Sequence, residues 1–212
     1  MRLFKKKNDE ELNNQGIDLQ LHQKFPEALE YFDKALEINP KNDSAWNNKG
    51  CCMDNFKKFP EALECYDKAL EINPKNVEAL NNKGMSYYQN HNDNKALEYF
   101  DKALEIDPKY EEILKSKGDA YSNLKSFPEA LECYDKALEI NPKNVEALNA
   151  KGIVLCELEK YNEAIECFDK ILTLNENFID AWHNKGQALW DLDEREKADE
   201  CFNVVKELEK NN

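Results

Sequence analysis

Residues that bend or break a backbone are scarce: the 212-residue chain holds six glycines and seven prolines. Histidine is scarcer still, and His22, His91 and His183 have no metal-ligating spacing. No apolar run approaches the length of a membrane span. The N-terminus MRLFKKKNDEE has lysines with no apolar stretch behind them, so it does not read as a secretory signal; Lys5, Lys6 and Lys7 read as a solvated, frayed start. Positive charge is in deficit, with 29 Lys and Arg against 43 Asp and Glu, a net charge of −14. Such a surface repels phosphate backbones and anionic membranes and favours basic partners, which argues against nucleic-acid and membrane binding. The seven cysteines are an odd number, which with no signal peptide points to a reducing, cytoplasmic setting. There is no nucleophile elbow, phosphate loop or paired-cysteine zinc motif. Carboxylates are plentiful, but Glu30, Glu64, Glu98, Glu132, Glu166 and Glu200 recur at one spacing. Acid–base catalysis needs two unlike environments, so a repeated carboxylate reads as a solvated face. No enzymatic activity, cofactor or metal is expected.

The few glycines and prolines are informative because of where they fall. Gly16, Gly50, Gly84, Gly118, Gly152 and Gly186 are each 34 residues apart. Pro26, Pro60 and Pro128 follow a glycine by ten residues, and Pro40, Pro74, Pro108 and Pro142 by 24. Breakers held to a fixed register mean one repeated supersecondary unit. The stretch FPEALECYDKALEINPKNVEALN occurs twice, at 59–81 and 127–149, two periods apart. With glycine as position eight, six repeats fill 9–42, 43–76, 77–110, 111–144, 145–178 and 179–212, leaving residues 1–8 as an N-terminal extension. Residues 9–212 read as a single domain.

Within a repeat the apolar residues recur at helical spacing. One proline position suits the first turn of a second helix, and the other stops that helix. Asn42, Asn76 and Asn144 stand where the next helix needs an N-cap. Each repeat is therefore expected to be a helix–turn–helix. The glycine lets the neighbouring helix approach, and its expected partner is the small residue at position twenty: Ala28, Ala62, Ala96, Ala130, Ala164 and Ala198. Position twenty-four is always aromatic, and one helix pair cannot bury such a ring, so repeats must stack.

The pattern resembles the tetratricopeptide repeat family. Position four is Leu or Trp (Leu12, Trp46, Leu80, Leu114, Leu148, Trp182), position eight Gly, position twenty Ala and position twenty-four aromatic. Position seven departs: it holds Gln15 and then Lys49, Lys83, Lys117, Lys151 and Lys185, which read as structural lysines whose stems cover apolar surface. Glu176 and Lys210 stand where a proline is expected. In the last repeat Asp199 and Lys206 replace apolar residues that would face a further repeat. That repeat reads as a cap, the alternative being that the chain is a piece of a longer protein. The resemblance implies an all-α, right-handed α-solenoid whose first helices line a concave groove, and a protein–protein interaction adaptor or scaffold.

In that arrangement positions two, five, nine, twelve and thirteen point into the groove, with position six beside them. These positions hold nine carboxylates and one lysine, Lys115, so an acidic groove is expected. Asparagine recurs at positions five and six as Asn13, Asn14, Asn47, Asn48, Asn81, Asn82, Asn149 and Asn184. A side-chain amide both donates and accepts, so this ladder could grip a peptide backbone of any sequence; the alternative is that asparagine is a solvated choice copied by duplication. Lys115, Asp119 and His183 vary the pattern, and Met85, Tyr88, Ile153 and Trp190 offer apolar anchors. Some family members clamp acidic chaperone tails with basic residues. Here those positions hold Asn13, Ile17, Asn48, Glu78 and Asn82, so that ligand is rejected. The expected partner is a protein or peptide segment with basic residues. A monomer is expected; a self-associating scaffold and an accessory module of a larger assembly are the rival readings.

Overall fold

The computed structural model describes residues 8–210. The N-terminal extension lies outside the described residues except for Asn8. Two compact units, Met1–Pro108 and Lys109–Asn212, divide the chain. The first contains α1 (Asp9–Leu21), α2 (Phe25–Ile38), α3 (Asp43–Asn55), α4 (Phe59–Ile72), α5 (Val77–Gln89) and α6 (Asp93–Ile106). The second contains α7 (Glu111–Asn123), α8 (Phe127–Ile140), α9 (Val145–Glu157), α10 (Tyr161–Leu174), α11 (Ile179–Asp191) and α12 (Arg195–Lys210). Each repeat is one helix pair, and the fold is an all-α solenoid of helix–turn–helix units.

Local chemistry sets the helix ends. The side chains of Asn42, Asn76 and Asn144 accept from the backbone N–H of Ala45, Ala79 and Ala147 at 2.8–2.9 Å, as their positions predict. Asn8 does the same for Glu11 at 2.8 Å, so the first repeat's cap belongs to the segment read as an extension. Pro26, Pro60 and Pro128 lie in the first turn of α2, α4 and α8, where a missing N–H costs nothing. The turn inside each repeat is made without glycine. Gln23, Lys57, His91, Lys125, Glu159 and Asp193, all at position fifteen, have φ between 57° and 65°. The next residue's N–H reaches back five residues to the first helix, as in Lys58 N to Met53 O and Lys160 N to Leu155 O, both 2.9 Å.

Inside each unit, each helix packs on the next. First helices also touch first helices: α1 on α3 and α3 on α5, then α7 on α9 and α9 on α11. Among the described residues no two second helices bring their backbones as close, so the first helices form the closer-packed row of each unit.

The glycine's partner differs from the expectation. A Cβ on Gly16, Gly50, Gly84, Gly118, Gly152 or Gly186 would lie 2.4–2.7 Å from the ring of Phe32, Tyr66, Phe100, Tyr134, Phe168 or Phe202, the aromatic at position twenty-four. Only at Gly84 is position twenty among the close neighbours, through the Ala96 carbonyl oxygen at 3.3 Å. One edge of the ring takes the space beside the glycine, while the position-twenty alanine is itself fully buried. The ring is covered in turn by the following repeat, as Cys52 covers Phe32 and Val154 covers Tyr134. Phe202, with no following repeat in this chain, is half-buried.

Three kinds of polar contact tie the helices together within and between repeats. The position-seven lysines reach back to the aspartate at position twenty-five: Lys49 to Asp33 and Lys185 to Asp169 at 2.6 Å, Lys151 to Asp135 at 2.5 Å, and Lys83 to Asp67. Second, a carboxylate at position one is held by two asparagines at the end of its own repeat. Asp9 accepts from Asn39 and Asn42 at 2.7 and 3.0 Å, Asp43 from Asn73 and Asn76 at 2.9 Å, and Glu111 from Asn141 and Asn144 at 2.9 and 3.3 Å. These bonds hold the Asp9 carboxyl below its ordinary range. The asparagine that caps the next helix thus also ties down the previous one. The third contact involves the asparagines read as a ligand ladder.

Candidate functional site

Within each unit the residues read as groove-lining sit on the row of first helices. In the first unit this row carries Asn13, Asn14, Asn47, Asn48, Asn81, Asn82, Met85 and Tyr88; in the second, Lys115, Asp119, Asn149, Ile153, His183, Asn184 and Trp190.

The asparagines pair with one another across repeats. Asn48 Nδ2 donates to Asn13 Oδ1 at 3.1 Å, Asn82 to Asn47 at 3.0 Å, and Asn184 to Asn149 at 3.1 Å. The position-five member is the acceptor; Asn13 and Asn47 are buried and Asn149 is half-buried. The position-six members Asn48, Asn82 and Asn184 are half-exposed, and Asn14 is exposed. Asn48 and Asn184 each commit an N–H in this way, and the Asn82 amide nitrogen also contacts Cys51 Sγ at 3.2 Å; each amide oxygen has two acceptor sites. Asn81 Oδ1 is buried with no hydrogen-bond partner. In the frame, the residue at position six of the following repeat is Ser116, not asparagine.

Two of the nine row carboxylates are bound up inside the fold. Asp54 accepts from Tyr66 OH and from Ser86 Oγ, both at 2.7 Å. Burial pushes its carboxyl above the ordinary range, and those two bonds pull against the shift. Asp119 accepts from Tyr134 OH at 2.9 Å and pairs with Lys115 Nζ at 2.8 Å, so the row's one lysine is matched one turn away. Glu10, Glu78, Glu112, Glu146 and Asp180, at position two, are exposed, as are Glu157 and Asp191. Ile153 and Trp190 are exposed apolar side chains, while Met85 and Tyr88 are half-buried. The ring of His183 is exposed and sits 6.0 Å from that of Phe202.

The sequence reading passed over the Tyr66–Asp54–Ser86 and Tyr134–Asp119 contacts. A signal was present. Position twenty-four is Tyr rather than Phe only in the second and fourth repeats, and only those repeats carry aspartate at position nine or twelve. A second signal marks the terminal clamp: position thirty-four is Asn where position one is acidic, and Tyr110 or Phe178 where position one is Val77 or Val145.

Little in the row favours covalent or metal chemistry. Burial pushes the thiol of Cys51 up to about 11 and that of Cys52 up to about 12, away from reactive thiolate. Among the described residues no group of His, Cys, Asp and Glu is arranged to hold a metal ion, and no helix is long and apolar enough to cross a membrane.

Comparison with known proteins agrees with this architecture. Family profiles described as tetratricopeptide repeat match residues 10–42, 31–64, 77–110, 111–144, 133–166 and 179–212, and one described as TPR repeat matches 57–91. No curated protein sequence gives a significant match. PilF of Pseudomonas aeruginosa is similar in structure, with a TM-score of 0.83 at 20% identity over 94% of this chain and 91% of that one. PilW, a type IV pilus biogenesis factor, also has a TM-score of 0.83, at 22% identity over 91% and 90%. YrrB, described as a TPR protein with an unusual peptide-binding site, has a TM-score of 0.69 at 25% identity over 84% and 91%.

Proposed function

Because the chain belongs to the tetratricopeptide repeat family, whose repeats serve protein–protein interaction, we propose that it is an adaptor without catalytic activity whose first-helix row holds a basic segment of a partner protein. The observation that carries this reading is the coincidence of two features on one row. The position-six amides of Asn48, Asn82 and Asn184 are anchored to the preceding repeat yet remain half-exposed. Exposed position-two carboxylates lie one helical turn before two of them, Glu78 before Asn82 and Asp180 before Asn184. The amides would meet a backbone already oriented, which lowers the entropy lost on binding, and the carboxylates would select lysine or arginine. The odd number of cysteines, seven, is what favours a reducing, cytoplasmic setting. The PilF and PilW likeness concerns the fold alone.

The test is to pan the purified chain against a random peptide display library. It is counter-selected with a variant neutral at position two (Glu10→Gln, Glu78→Gln, Glu112→Gln, Glu146→Gln, Asp180→Asn). These side chains are exposed, so the variant keeps its fold. Lysine- and arginine-rich peptides retained by the wild type and lost by the variant are the expected result. Peptides enriched without a basic bias, or retained equally by both proteins, would overturn the electrostatic part of the reading.

A further inference from the structure

Resting on the reading above, the structure assigns Trp190 as a guanidinium-binding subsite of the second unit, filled in the free protein by the chain's own Arg195 and open to exchange with an arginine of the bound segment. Trp190, at the end of α11, is 42% exposed. Arg195, at the start of α12, lies over it with Cζ 3.8 Å from the ring centroid, and its Nε donates to Asp193 Oδ1 at 2.8 Å. A flat ring below and a carboxylate at the edge are the two contacts a guanidinium needs.

The repeat frame shows that this arrangement departs from the common pattern. Position seventeen is aromatic in four repeats, as Phe25, Phe59, Phe127 and Tyr161. It is charged in only two, as Asp93 and Arg195, and those two repeats alone carry an aromatic at position twelve, Tyr88 and Trp190. Where the row presents a ring, a charged residue replaces the usual second ring. Arg195 is also one of only two arginines in the chain, the other being Arg2.

The plug is loosely held. The side chains of Arg195 and Asp193 are 46% and 84% exposed, and an exposed pair of this kind is weak. The neighbouring charge favours a second cation: Asp191, Asp193, Glu194 and Glu196 flank Arg195 in sequence, and Lys197, two residues on, is already paired with Glu194 at 2.5 Å. The other two tryptophans are built differently. Their indole N–H groups bind the backbone oxygens of Pro40 and Glu176 at 3.0 and 2.8 Å. The cations over them are ammonium groups: Lys49 and Lys185 sit 5.4 Å from the rings and are tied to Asp33 and Asp169, and Lys68 lies 4.2 Å over Trp46. Arginine is selected over lysine because a planar, weakly hydrated guanidinium stacks on indole, whereas an ammonium keeps its water.

The experiment measures fluorescence anisotropy of two labelled peptides of equal length and charge, (Arg-Ser)6 and (Lys-Ser)6. The proteins are the wild type, Arg195→Ala and Trp190→Leu, each checked for unchanged helical circular dichroism. The wild type is expected to prefer the arginine peptide by about three- to tenfold. Arg195→Ala should tighten the arginine peptide by about two- to fivefold, and Trp190→Leu should erase the preference. Arg195→Ala that weakens or does not change binding, or a preference that survives Trp190→Leu, overturns the subsite. Equal binding of both peptides by the wild type also removes the subsite but leaves the basic-segment reading standing. Binding of neither peptide removes both.

Discussion

At each glycine a missing methyl group makes room for an aromatic ring, and the buried polar pairs are equally local. Gly118 has Tyr134 ring atoms 2.6 and 2.8 Å from where its Cβ would stand. Gly118→Ala is therefore expected to cost about 1–3 kcal/mol, because the buried ring has no free space to move into. Urea unfolding followed by circular dichroism measures it; an unchanged midpoint would show that the ring yields freely. Asp54 gives a pH-dependent case. Burial holds its carboxyl above the ordinary range, so the folded chain keeps the proton to higher pH than the unfolded chain does. Stability from this group rises as pH falls through the folded pKa and is lost as pH rises through it. Asp54→Asn removes the charge while Tyr66 and Ser86, whose hydroxyls donate or accept, keep their contacts. The variant's urea midpoint should exceed that of the wild type at pH 7, with the gap closing towards pH 4. A gap that widens on acidification would mean that the two hydrogen bonds outweigh the burial.

Helix ends and turns decide how each repeat closes. Six non-glycine residues adopt the left-handed conformation at position fifteen, at a cost of about 1–2 kcal/mol each for an L-residue. Glycine adopts that conformation freely but loses more entropy on folding. Glu159→Gly should therefore stabilise the second unit by about 0.5–1 kcal/mol net, read as a rise in melting temperature. The same change at Glu157, within α9, should lower it, and matching shifts at the two sites would refute this account of the turn. The capping asparagines work at two scales: Asn144 starts α9 through Ala147 N and also holds Glu111 of α7. Asn144→Ala should accordingly cost about 1–2 kcal/mol, more than Asn92→Ala, whose cap bond to Lys95 N is longer, at 3.3 Å.

For the whole molecule the governing quantity is charge. A net charge of −14 disfavours contact between copies and attracts basic partners from a distance. The chain is expected to remain a monomer in light scattering at high concentration. Affinity for a selected basic peptide should fall about tenfold or more between 50 and 500 mM NaCl, because exposed carboxylates are screened beyond a few ångströms at high salt. Affinity that is flat with ionic strength would place the binding energy in apolar anchors such as Ile153 instead.

Periodic features were legible without a structure. The 34-residue spacing of glycine, the two proline registers and the capping asparagines led directly to helix pairs, because propensity and capping act over a few neighbouring residues. That the position-seven lysines are structural also followed, although their aspartate partners did not. Which side chain fills a given space was beyond the linear pattern. Alanine at position twenty was the expected neighbour of the glycine, but the ring at position twenty-four lies there. The asparagines suited to gripping a ligand are partly spent on one another, and Asp54 and Asp119 are bound by tyrosines from the second helices. A repeat dictates that equivalent residues lie on equivalent faces. Hydrogen bonds and ring contacts form between residues 12 to 35 positions apart, and only packing the helices brings those partners within reach.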